Sequence, residues 1–174
     1  MRIWKRVGQT AIVGAIGALT VSCAALTSTK IEDLTVRSIK TVNLRDVPQV
    51  EWMGKGPRPS LEISRIDLAT SVDLWETARR HEYNVAFTVS PCVGKDSPPG
   101  AVGYYDGVFW EKQRITSFQL PTPDYVAALK DGTVTYQVYI GIPAQAAPGT
   151  FCLQLSGGTM GGATISSNTV PLNP

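Results

Sequence analysis

Asp106 and Glu111 stand on either side of Val108-Phe109-Trp110, and glycoside hydrolysis needs little more than two carboxylates at a suitable separation. If residues 108–111 are extended, Glu111 falls on the same face as Phe109. The same residues also read as a turn, Asp106-Gly107, and a solvated strand end, Glu111-Lys112. His81 is the only histidine, so zinc sites built on several imidazoles are out of reach, and a serine hydrolase would have to use it as base. No serine stands in Gly-x-Ser-x-Gly, and no Ser-x-x-Lys occurs. The run Gly157-Gly158-Thr159-Met160-Gly161-Gly162 lacks the lysine and the strand–helix setting of a phosphate loop, and reads as a flexible connection between strands. The chain is therefore expected to need no metal and no cofactor, and to have no catalytic residues.

Aromatic residues offer a different chemistry. Tyr104, Tyr105, Phe109 and Trp110 lie within seven residues, and Trp75 and Arg79 occupy another predicted connection. Exposed rings bind protein surfaces or stack on the apolar faces of sugars. In a strand, Tyr104 and Trp110 share one parity and Tyr105 and Phe109 the other, so one set faces away from the core unless a bulge intervenes. The group reads either as a recognition hairpin or as packing.

The three cysteines divide into one near the start and two in the body, Cys92 and Cys152. In an oxidising compartment a pair most simply forms one disulfide. Cys92 has the parity of Thr88 and Ser90, and Cys152 that of Gln154, opposite to the apolar residues around them. The bond should therefore staple strand ends or a loop instead of crossing the middle of a core, unlike the usual immunoglobulin bridge.

The first residues set the compartment. Arg2, Lys5 and Arg6 precede the apolar run Ala11–Val21, the layout of an export signal. With Leu19-Thr20-Val21-Ser22-Cys23 the segment resembles a bacterial lipoprotein signal, although Thr20 stands where that family usually has leucine. The resemblance covers residues 1–25 and implies lipidation of Cys23 after removal of 1–22. It also implies transfer to the outer membrane, because Ala24 follows the cysteine, with the domain in the periplasm. Ordinary cleavage after Cys23-Ala24-Ala25 and retention of the uncharged stretch Val7–Thr29 as a span are the alternatives. Three of the 16 Lys and Arg residues lie in this head; the rest of the chain carries 13 against 14 acidic residues, a net charge near −1. Such a balance offers no basic surface for nucleic acid.

The elements that position these residues read as β. Residues 23–33 look like a lipidated N-terminus and flexible tether, and 34–174 like a single domain. Strands are expected at 34–44, 61–69, 83–90, 101–110, 114–120, 133–142, 151–155 and 163–172, from alternation rich in β-branched and aromatic residues. In 61–69 the apolar parity slips between Ile63 and Ile66, which calls for a bulge near Ser64-Arg65 or a break. Residues 47–60 carry too many Pro and Gly for a regular element. One short helix is expected near 123–131, capped by Thr122, opened by Pro123 and closed by Gly132, with a possible further turn at Val72–Arg79. About eight strands and no long helix define an all-β, two-layer antiparallel β-sandwich, immunoglobulin-like or transthyretin-like in general architecture.

Two functional classes follow. An envelope-anchored binding or assembly module, acting on another envelope protein through loops or the aromatic hairpin, accounts for the signal, the sandwich and the sparse chemistry. A glycan-binding module, or an inhibitor of an envelope enzyme presenting loop Val93–Gly100, is the alternative.

Overall fold

The computed structural model describes residues 28–51, 56–92, 103–141, 151–160 and 162–172, with only the backbone described at Asn84 and Gly103–Asp106. The alternating segments form a two-layer β-sandwich. One sheet has the order β1 (Ser28–Ile31), β9 (Thr164–Ser167), β8 (Phe151–Gly158), β10 (Val170–Pro171), with β4 (Asn84–Pro91) also paired to β8. The other has the order β2 (Thr35–Asn43), β3 (Glu62–Thr70), β7 (Val134–Gly141), β5 (Gly103–Trp110), β6 (Gln113–Arg114). Among the described residues every pairing is antiparallel except that of β1 with β9. Ile66, Leu68, Tyr136, Val138 and Ile140 of the second sheet share a buried core with Val85, Phe87, Leu153 and Leu155 of the first.

Ten strands are present among the described residues where the sequence suggests about eight. The C-terminal stretch divides at Asn168. Residues 28–31 of the expected tether form β1, which runs beside Thr164–Ser167. Ile31 and Leu34, too few to make a period, are both buried, and Asn168 clasps the backbone N–H and C=O of Leu34 with its amide. Asp33 is held beside them: Thr70 Oγ1 and the Ser71 N–H donate to its carboxylate, and hydrogen bonding from the Ser71 side chain first, then from Thr70, keeps its pKa below the usual value. The expected strand 114–120 shrinks to Gln113–Arg114. After Ile115 donates its N–H to the Val108 carbonyl, the chain leaves the sheet and places the Gln119 carbonyl against Trp75 Nε1.

The parity slip in β3 needs no bulge at Ser64-Arg65, because both faces of this strand are covered. Ile66 and Leu68 face the main core, while Ile63 joins Leu44, Val47, Val50, Phe109 and Tyr139 in a second apolar cluster. The irregularity sits in the neighbouring strand: Val36 pairs with Leu68 but Ser38 with Asp67, leaving Arg37 extra. Past Arg37 the inward parity changes, so Val42 packs on the second cluster. Arg58 secures this cover by donating to the carbonyls of Leu44, Val47 and Val50.

Helix α2 (Pro123–Lys130) lies where the sequence places it, with Thr122 Oγ1 accepting from the Tyr125 N–H at 3.3 Å. The suspected turn at 72–79 is a two-turn helix, α1 (Leu74–His81). Asp73 caps it by accepting from the Glu76 N–H at 2.8 Å, and Glu82, at φ 53°, ends it. Leu74, Trp75 and Ala78 of α1 and Tyr125 of α2 enter the main core.

Asp106-Gly107 is not a hairpin turn but part of β5. Tyr105 pairs with Tyr139 and Phe109 with Gln137, so β5 carries two extra residues between them. Gly107 has φ +136°, and a Cβ there would meet Arg114 Nε at 3.0 Å and the Phe109 ring at 3.2 Å. Gly107→Ala is therefore expected to cost about 1–3 kcal/mol of stability, read from a urea unfolding midpoint; an unchanged midpoint would contradict this backbone geometry. The turn itself is Glu111-Lys112, between the paired residues Trp110 and Gln113.

Candidate functional site

Both hairpin rings whose side chains are described, Phe109 and Trp110, are core. Phe109 and Trp110 point to opposite sides of β5, yet both are buried because both sides are covered. Phe109 meets Tyr139 edge-on at 5.7 Å in the second cluster, and Trp110 meets Tyr125 at 5.4 Å in the main core. Trp75 is buried as well, packed on Tyr125 at 5.1 Å. Arg79 does not join them in a surface; its guanidinium pairs with Glu76 at 3.1 Å. The side chains of Tyr104, Tyr105 and Asp106 lie outside the described residues, as do Cys23 and loop Val93–Gly100. Glu111 is an exposed turn residue at φ 52°.

Cys92 and Cys152 form a disulfide, with Cα atoms 4.9 Å apart. It joins the end of β4 to β8 within one sheet, beside the pair Ser90–Cys152, as the parity of the two cysteines requires. The bond lies at the opposite end of these strands from Asn84 and Gly158.

Around the Asn84–Gly158 end the structure opens a cleft of about 670 Å³. Its walls are the end of α1, the segment following β6 and the β8–β9 turn; His81, Arg114, Thr116, Phe118 and Met160 are among its lining. Of the glycine-rich stretch, Gly157 and Gly158 belong to β8, and beyond them the Thr159 N–H donates to the Ala163 carbonyl. Phe118 is 96% exposed and Met160 fully so. The His81 ring stands 5.0 Å from that of Tyr83, whose hydroxyl donates to the Thr164 carbonyl. Thr116 Oγ1 is buried without a hydrogen-bond partner among the described residues.

Sequence reasoning missed Phe118 and Met160. Phe118 alternates correctly for a strand, and Met160 sits in a run whose glycines suggest only a linker. The available signal is Phe118-Gln119-Leu120-Pro121 directly before the helix cap, where apolar side chains have no periodic partners.

A second, polar groove of about 510 Å³ lies on the outer face of the second sheet. Gln49 Nε2 donates to the Tyr139 hydroxyl at 2.6 Å, which in turn donates to Gln137 Oε1 at 3.2 Å. Arg65 pairs with the buried Asp67 at 3.1 Å, and Ser38 Oγ donates to the same carboxylate at 2.6 Å. Glu111 and Asp124 line the groove, and so does Trp110, only 9% exposed. These groups can exchange hydrogen bonds with a polyhydroxylated ligand.

The buried tyrosines are structural. The Tyr125 hydroxyl donates to Asp73 Oδ1 at 2.7 Å and lies 2.8 Å from that of Tyr136, joining α1, α2 and β7. Burial, followed by the neighbouring Tyr136, raises the Tyr125 pKa well above the ordinary phenol value; burial pushes Tyr136 up to about 12. The folded state thus keeps these phenols neutral while the unfolded chain ionises them near pH 10. Their contribution is present in full below that value and is lost as pH rises through the folded pKa values, at up to about 1.4 kcal/mol per pH unit for each tyrosine. The urea midpoint should fall steeply between about pH 10 and 12, and less steeply in Tyr125→Phe. Phenolate absorbance from Tyr125 near pH 10 in the folded protein would contradict this.

Among the described residues no helix is long and apolar enough to cross a membrane, and no group of three or more His, Cys, Asp or Glu could hold a metal ion. The chain matches no family model, no curated protein and no solved structure.

Proposed function

We propose that the chain is a lipoprotein of the bacterial envelope, held to the outer membrane through Cys23 with its sandwich in the periplasm, and that it binds an envelope component without catalysing a reaction. The signal-like head supports the location. The cleft supports the activity: Phe118 and Met160 stand exposed on one concave surface, the arrangement that marks interaction sites on folded domains. The test combines fatty-acid labelling and fractionation of the full-length protein with crosslinking in intact cells. Wild type should carry the acyl label and sediment with membranes, Cys23→Ala should do neither, and Phe118→Ser/Met160→Ser should lose crosslinks that wild type makes. A soluble, unlabelled wild type would overturn the anchor. Crosslinks unchanged in the double variant would overturn the binding surface.

The outer-face groove favours a second reading, a glycan-binding module. Its amides, guanidinium and carboxylates suit sugar hydroxyls, while Trp110, buried in the core, offers no ring face for stacking. Titration with cell-wall fragments should show binding that Gln49→Ala weakens several-fold; no binding by wild type would remove this reading.

A further inference from the structure

We infer that the cleft end of the sandwich is a membrane-docking face whose occupant is the lipid surface carrying the Cys23 anchor; the inference rests on the anchored reading above and names the component that the cleft meets. The position of β1 carries the argument. Ser28 pairs with Thr164, and Thr164 pairs with Gly158, which lines the cleft. Two strand spacings place the Ser28 backbone within about 10 Å of Gly158. Thr29 Oγ1 also lies 3.4 Å from the hydroxyl of Tyr83, another lining residue. The described chain therefore starts at the cleft end, and β1 runs away from it toward Ile31.

Only Ala24–Thr27 separate Cys23 from Ser28. Fully extended, that connection reaches no more than about 18 Å. An acyl group on Cys23 consequently holds this end of the sandwich next to the bilayer and leaves the disulfide end outward. The six residue steps from Gly158 to Cys152 put Ser90 about 20 Å farther along the sheet. Phe118 and Met160 are then the large apolar side chains on the surface brought to the lipid. Apolar side chains presented in this way bury themselves about 5–10 Å into the headgroup and acyl boundary. The charge at this end is mixed: Arg114 lines the cleft, Arg80, 68% exposed beside His81, is paired with Glu76 at 3.5 Å, and Glu82 is an exposed carboxylate, so the apolar side chains carry the docking.

The experiment places the photocrosslinker p-benzoylphenylalanine at Phe118, Met160 or Ser90 in the full-length protein. Each form is studied in cells and after reconstitution into vesicles of phosphatidylethanolamine and phosphatidylglycerol. Oxidation of Cys92 and Cys152, seen on non-reducing gels, confirms folding of each. Lipid adducts at 118 and 160 should exceed those at 90 by at least several-fold, and Cys23→Ala should abolish them in cells. Equal lipid adducts at all three positions, or adducts at 118 and 160 only to protein or to a second copy of the chain, would overturn the docking face. The mass of the N-terminal peptide separates the two failures. An unacylated Cys23 defeats the anchored reading and the inference with it, whereas an acylated chain without lipid adducts at 118 and 160 defeats the inference alone.

Discussion

Trp110→Ala should lose about 3–5 kcal/mol of folding stability, the range for removing a large buried aromatic. The indole lies where β5 meets the two helices. It stacks edge-on against Tyr125 at an interplanar angle of 84°, and Tyr125 in turn packs on Trp75 and hydrogen-bonds to Asp73 and Tyr136. Removing it opens a cavity beside a polar network, so the cost should fall at the upper end of the range if Tyr125 loses its alignment. Urea unfolding of the variant measures the loss. The matched comparison is Phe118→Ala, which removes a ring 96% exposed and should change stability by less than about 0.5 kcal/mol. If Trp110→Ala keeps its midpoint while Phe118→Ala unfolds the protein, the assignment of core and surface is inverted.

Opening the disulfide should cost roughly 4 kcal/mol, the chain-entropy estimate for a closed loop of this size, with 60 residues separating the cysteines. The bond sits at the end of two strands that already pair, and adds little that the β4–β8 ladder does not provide in the folded state. Its effect lies in the unfolded chain, which it keeps from separating β4 from β8. Reduction and the double replacement Cys92→Ala/Cys152→Ala should therefore lower the urea midpoint by similar amounts. A double replacement with no loss, measured against the oxidised protein, would show that the unfolded chain is already restrained there.

The strong strands were legible because their alternation is unbroken. Tyr83–Val89 and Val134–Ile140 put every apolar residue of the expected parity into the core. The Thr122-Pro123 start of α2 and the placement of the disulfide were legible for the same local reasons, cap chemistry and residue parity. The failures come from tertiary contacts that leave no local period. Ile63 looked out of phase with Ile66 because nothing local shows that residues 44–50 fold back over the outside of the sheet. This same cover buries Phe109, so the parity of β5 opposite Trp110 is not exposed there. Asp106-Gly107 carries the composition of a turn, but strand pairing on β7 continues through it as a bulge. β1 was hidden because a strand with a single buried apolar residue, Ile31, resembles a tether until its partner is known.

The pairing of β1 with β9 also fixes when this fold can close. A hydrogen bond joins Ser28 to Thr164 across 136 positions, so the first strand waits for one of the last. A chain made from its N-terminus cannot complete that sheet during synthesis, and contacts of such separation form slowly. The topology thereby delays the complete sandwich until Thr164 has emerged, which would suit the export proposed above, since a chain threaded across a membrane folds afterwards.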